Sequence, residues 1–186
     1  RDKIFNGADD NGSGTVALLA AARALGRSGA KPRRSVIFLF FAGEELGILG
    51  SEFYASHPIV PIEETVAMLN MDMVGRLRDN NIQISGTGTA AQWERVFEEV
   101  RCYDLTYKLD PSGVGPSDHT SFYNMGIPVL HFFTGSHEDY HKPTDDADKV
   151  NYKGISTVVS LIETVMAKVD KDIKLDYQET ANDNAR

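Results

Sequence analysis

Phe41-Ala42-Gly43-Glu44-Glu45-Leu46-Gly47 is the stretch from which the fold can be read. An almost wholly apolar run, Val36-Ile37-Phe38-Leu39-Phe40-Phe41-Ala42, leads into it. Bounded by basic and Gly/Pro residues, such a run predicts a strand buried on both faces. Two carboxylates then stand side by side where the strand ends. Like charges at the mouth of an apolar core are costly unless a cation compensates. Open α/β sheets collect their ligands beyond the carboxyl ends of the strands. Glu44 and Glu45 therefore fit a metal site, one as ligand and the other free for acid/base work. They equally fit a solvated helix start, where acidic residues favour the first turn.

Upstream of this stretch, residues 6–14 are rich in turn formers and run into an Ala/Leu-rich helix over 15–25. Asp9 and Asp10 fall just before that helix, where one caps it or one faces a metal. Downstream, residues 46–56 predict a helix stopped by His57-Pro58, with His57 a surface residue. A second buried strand is expected within 64–74, and Asp72 stands near its end between Met71 and Met73. A buried aspartate needs a partner, either a cation or a hydrogen bond from a neighbouring turn. Residues 81–85 and 105–109 predict strands, and 90–101 a helix with Trp93, Val96, Phe97 and Val100 inward. Ser117-Asp118-His119 opens a short helix with Ser117 as its N-cap. Asp118 and His119 either pair to support a metal ligand or cap locally. A third buried strand over 127–133 carries His131, read as a satisfied core histidine. The loop 134–146 after it holds two histidines and four carboxylates. A helix over 150–169 closes the domain, with Val158, Leu161, Ile162 and Val165 inward. Strands and helices alternate, which predicts an α/β fold with a mixed, mostly parallel sheet between helices. Residues 1–175 read as one catalytic domain, and 176–186 as a polar disordered tail.

The 186 residues suffice for one domain with a real core, and the apolar and charged fractions are ordinary. A formal charge of -8 argues against nucleic acid or an anionic membrane surface as partner. The single cysteine, Cys102, excludes an intramolecular disulfide and a thiolate metal cluster. No run approaches the ~20 apolar residues of a membrane span. The first residue is Arg1, which suggests a piece of a longer precursor.

Asp10, Glu44/Glu45, Asp72 and His141 all fall in loops after strands or before helices. Carboxylates with one histidine and a spare glutamate suit a hydrolytic zinc site. Five blocks carry a fuller likeness: Gly7-Ala8-Asp9-Asp10-Asn11-Gly12-Ser13-Gly14, Glu44-Glu45-Leu46-Gly47-Ile48-Leu49-Gly50-Ser51, Asn70-Met71-Asp72-Met73, Ser117-Asp118-His119 and Tyr140-His141-Lys142-Pro143-Thr144-Asp145. In that order the chain resembles the co-catalytic di-zinc aminopeptidases, a family that includes bacterial leucyl aminopeptidases, aminopeptidase Y and a membrane glutamate carboxypeptidase. The resemblance covers nearly all of residues 4–170.

It implies an exopeptidase acting on peptides with a free N-terminus, with zinc as cofactor. Asp10 is then the ligand shared by two zincs, Glu45 and His141 complete one site, and Asp72 serves the other. Glu44 is the implied general base, and Tyr140 a group that holds the substrate carbonyl oxygen. A cis peptide is implied between Asp10 and Asn11. The family's further ligand is a histidine upstream of the Gly-Ala-Asp-Asp block, and no histidine precedes His57 here. Two zincs belong to the family pattern, and one site is complete in this chain. Its upstream strands are absent too, which predicts an exposed edge or surface. Export to the periplasm or the exterior rests on the resemblance alone. A one-zinc, glutaminyl-cyclase-like acyltransferase is the alternative enzyme, since it uses the same Asp, Glu and His trio. A non-catalytic domain of peptidase shape, like the transferrin receptor ectodomain, is the alternative outside catalysis.

Overall fold

The computed structural model describes residues 3–29, 31–100, 104–172 and 175–180. Side-chain alternation along the strands sorts apolar residues into two cores. The sheet is built from β1 (Met68–Met71), β2 (Asn81–Ser85), β3 (Thr106–Asp110) and β4 (Val129–Phe133) in the order β1-β4-β2-β3. The β1/β4 and β2/β3 pairs are parallel and β2/β4 is antiparallel, so the sheet is mixed and mostly parallel. Leu130 and Phe132 of β4 face one way, together with Leu69, Met71, Ile82 and Ile84. Val129, two residues from His131 and so on its face, belongs to the opposite core with Met68.

Helices cover both faces. Ala17 and Ala21 of α1 (Gly12–Arg27), Trp93 and Val96 of α3 (Gln92–Glu99) and Val158 and Leu161 of α5 (Tyr152–Asp172) join the larger core. Phe122 of α4 (His119–Tyr123) and Tyr54 of α2 (Leu49–Ser56) form the smaller one with Val129, Leu39 and Phe41. The expected inner faces of α3 and α5 are buried as predicted. Among the described residues, no helix is long and apolar enough to cross a membrane.

Several expectations are corrected. Residues 36–42 are not a strand buried on both faces. They pair with no strand among the described residues, and Val36, Ile37 and Phe40 are 38%, 40% and 53% exposed. Only Phe38 reaches the larger core, and Leu39 and Phe41 the smaller. An apolar run is buried only where other elements pack on it, and among the described residues Val36, Ile37 and Phe40 join neither core. The strand expected within 64–74 is shortened to β1, because a 3-10 turn at Ile62–Glu64 precedes it and Met73 takes a φ of 51° beyond it. α2 starts three residues later than expected because Gly47 and Ile48 take φ values of 104° and 52°.

Caps also differ. Neither Asp9 nor Asp10 caps α1; Asn11 does, its Oδ1 accepting the Gly14 N–H at 3.0 Å. The Ser117 hydroxyl is engaged elsewhere, and α4 has no side-chain cap. The tail is ordered over 176–180: the Gln178 N–H donates to the Thr89 carbonyl at 2.8 Å and the Thr180 N–H to the Tyr123 hydroxyl at 2.8 Å. Polar composition suggested solvent there, but tertiary hydrogen bonds tie it down. Residues 181–186, Arg101 and Cys102 lie outside the described residues.

Candidate metal centre and active site

β1, β4 and the extended segment before Gly43 end on the same side of the molecule, and their loops meet the turn before α1 there. Three of the expected ligands converge. Asp10 Oδ2 and Glu45 Oε1 each lie 3.1 Å from His141 Nε2. Candidate donor atoms of the three residues all fall within 4.8 Å of one another. Two atoms bonded to one tetrahedral zinc at ~2.0–2.1 Å lie ~3.3 Å apart, so the trio fits that ion. The three line an open cleft of about 400 Å³ with Phe5, Gly7 and Lys142.

Electrostatics point the same way. Burial, then the charges of Asp72 and Glu45, push the Asp10 carboxyl up to about 6. Glu44 is pushed up to about 7, chiefly by burial and then by Asp72, Glu45, Asp118 and Asp10. A cluster of carboxylates that raise one another's proton affinity is one that a cation would relieve.

Asp72 is not part of the compact trio. Its carboxyl is raised by burial against the opposing hydrogen bond from Ser117, whose hydroxyl donates to Oδ2 at 2.7 Å. Asn70 donates in turn to Ser117 Oγ at 2.8 Å. Oδ1 of Asp72 is buried and has no hydrogen-bond partner among the described residues. An orphaned carboxylate oxygen beside Asp10 and Glu44 has the donor chemistry of a cation ligand. Tyr140 is 42% exposed and stacks on His141 with ring centroids 3.8 Å apart. Burial and the charges of Asp10, Glu45, Asp72 and Glu44 raise its pKa. The peptide between Asp10 and Asn11 is cis.

The two other conspicuous histidines stay out of the cleft. His131 Nδ1 accepts from Asn70 at 3.0 Å, in keeping with a satisfied core histidine. His119 stacks on it at 4.5 Å, and burial holds both rings neutral, with His119 far below its ordinary range and His131 down to about 4. Neither ring nitrogen of His119 has a hydrogen-bond partner among the described residues, so an Asp118–His119 pair, one of the two readings left open, does not form.

Four residues support the site without a role that the sequence shows. Asp9 Oδ1 accepts the Gly75 N–H at 2.6 Å and Oδ2 meets His137 Nε2 at 3.0 Å. Asp145 Oδ2 accepts the N–H groups of both Asp9 and Asp10, and Arg76 reaches Asp145 Oδ1 at 3.1 Å. The Tyr140–Asp145 block names Asp145, but nothing local in sequence pairs it with residues 135 positions away.

Comparison with known proteins identifies the family. The model of "Peptidase family M28" matches residues 2–166. Leupeptin-inactivating enzyme 1 of Streptomyces exfoliatus is 33% identical over 152 residues, covering 80% of this chain and 34% of that protein. Aminopeptidase YwaD of Bacillus subtilis is 28% identical over 178 residues, covering 90% of this chain and 39% of that protein. The chain thus spans between a third and two fifths of the length of these relatives. Among solved structures, BSAP, a zinc aminopeptidase from Bacillus subtilis, superposes with a TM-score of 0.75 at 26% identity, over 93% of this chain and 45% of that one. On the fold, the convergent donors and the family match together, the chain belongs to peptidase family M28.

Proposed function

We propose that this chain carries the catalytic site of a zinc aminopeptidase, which removes N-terminal residues from peptides. The convergence of Asp10, Glu45 and His141 in one cleft carries the reading. The relatives, an aminopeptidase and a zinc aminopeptidase among them, support it. Asp10, Glu45 and His141 would hold one zinc, and Asp72 through its free Oδ1 would serve a second that shares Asp10. Zinc in such a site supplies carbonyl polarisation and a water of lowered pKa. Glu44 takes the proton of the attacking water on its carboxylate and delivers it to the departing amine. Tyr140, whose ring stacks on His141, would donate its hydroxyl to the substrate carbonyl oxygen.

Glu44→Gln tests the assignment. Hydrolysis of an aminoacyl anilide should fall by ~10²–10⁴-fold, the usual worth of general acid–base catalysis, while zinc content stays unchanged. Turnover at the wild-type rate in that variant would remove Glu44 from the mechanism. The separation of Asp72 from the trio favours a second reading, a one-zinc acyl transfer of glutaminyl-cyclase type. Cyclisation of an N-terminal Gln peptide without amino-acid release would select it.

A further inference from the structure

We propose that Asp145 is the positioning residue that sets the placement of Asp10 against His141, and through it the metal affinity of the site. The inference rests on the reading of Asp10, Glu45 and His141 as ligands. Asp10 and His141 come from loops far apart in sequence, yet their donor atoms meet at 3.1 Å. Asp145 joins those two loops. Its Oδ2 accepts the N–H of Asp9 at 2.9 Å and of Asp10 at 3.1 Å. Its backbone carbonyl accepts the Ala8 N–H at 3.1 Å. Bonds from a carboxylate to two successive peptide N–H groups are charge-assisted and orient both peptides at once. The side chain is 2% exposed, so water does not compete for those donors.

Two further features make the link rigid. Asp145 and His141 sit on one run of tight turns, in which the Lys142 N–H reaches the Asp139 carbonyl at 3.0 Å and the Asp145 N–H the Lys142 carbonyl at 3.1 Å. Arg76 holds the other carboxylate oxygen at 3.1 Å and bridges to Asp139, which Lys149 grips at 2.6 Å. With two peptide N–H groups and a guanidinium on it, the Asp145 carboxylate is occupied and is not itself a ligand. Asp9 adds a second anchor to the same loop through His137 at 3.0 Å. A half-ångström shift of the 8–10 turn would therefore move Asp10 relative to His141 directly.

The test is zinc affinity of the intact protein by competition with a chromophoric chelator, with the visible spectrum of the cobalt-substituted form as a geometric readout. In Asp145→Asn an amide NH₂ replaces one oxygen, so either the two peptide N–H groups or Arg76 meet a donor. Zinc affinity should fall about 10–100-fold, the usual effect of losing a residue that orients a ligand, and the cobalt bands should shift. Lys168→Met, which breaks an exposed ion pair to Glu99 that takes no part in this network, should leave both readouts unchanged. If Asp145→Asn does not fold, Asp145→Glu carries the same comparison. Wild-type affinity and an unshifted cobalt spectrum in the Asp145 variant would overturn the proposal. So would an equal loss in Lys168→Met, or failure of both Asp145 variants to fold, since the role would then be general stability. Absence of zinc from the wild-type protein would overturn the ligand reading itself, and this inference with it.

Discussion

Glu44 is the residue on which the chemistry turns, and its environment makes a pH prediction for the metal-free protein. The ordinary glutamate value of 4.5 is raised to about 7, so the folded chain holds that proton more tightly than the unfolded chain does. Across the interval from 4.5 to about 7 the native state binds more protons, and stability falls as pH rises through it. Glu44→Gln cannot ionise and escapes that loss. Its melting temperature without metal should match the wild type below pH 4.5 and exceed it increasingly toward pH 7. A difference that does not change with pH would show that Glu44 is not ionising against its neighbours. Motif order was enough to single out Asp10, Glu45 and His141, because each lies in a short local block. Asp145 was not legible as a support, since its partners are peptide N–H groups about 135 positions away. Asn11 outcompeted both aspartates as helix cap because Asp9 is pinned by Gly75 and His137 and Asp10 sits among the ligands.

The element that matters most is the turn between the extended segment 36–42 and α2, since it carries both glutamates. It is closed by the Gly50 N–H to the Ala42 carbonyl at 3.0 Å and the Leu49 N–H to the Gly43 carbonyl at 3.1 Å. A Cβ on Gly50 would stand 2.5 Å from the Ala42 carbonyl oxygen, a contact that backbone must move to relieve. Gly50→Ala should therefore destabilise the protein by ~1–3 kcal/mol, as overpacking does. It should also lower zinc affinity, because the movement displaces Glu45. Thermal unfolding and a zinc titration check both effects, and an unchanged zinc affinity would separate the turn from the site. Strand β2 was legible to the residue, because Asn81, Gln83 and Ser85 alternate with the apolar Ile82 and Ile84, which the structure buries. The run 36–42 misled in burial for a physical reason: apolar composition reports what a segment can bury, and the neighbours decide what it does bury.

At the scale of the whole molecule, two apolar cores on opposite faces of one sheet hold the ends of β1 and β4 in register, Asn70 opposite His131 and Met71 opposite Phe132. That register delivers Asp72 and the 134–146 loop to the same edge, where the turns bearing Asp10 and Glu45 arrive from the other elements. Phe132 is fully buried at the centre of this arrangement. Its replacement by Ala should cost ~3–5 kcal/mol, the range for deleting a core aromatic ring. A denaturant midpoint little changed by it would place the core elsewhere. The mixed sheet was foreseeable from the alternation of strands and helices, whereas the order β1-β4-β2-β3 depends on long-range pairings that no local pattern encodes. The central claim is that Asp10, Glu45 and His141 hold zinc. Its most direct measurement is zinc per protein molecule after loading and desalting, in the wild type and in His141→Ala. At least one zinc retained by the wild type, and a smaller content in the variant, is the predicted result. Equal zinc in both proteins, or none in the wild type, would contradict the account.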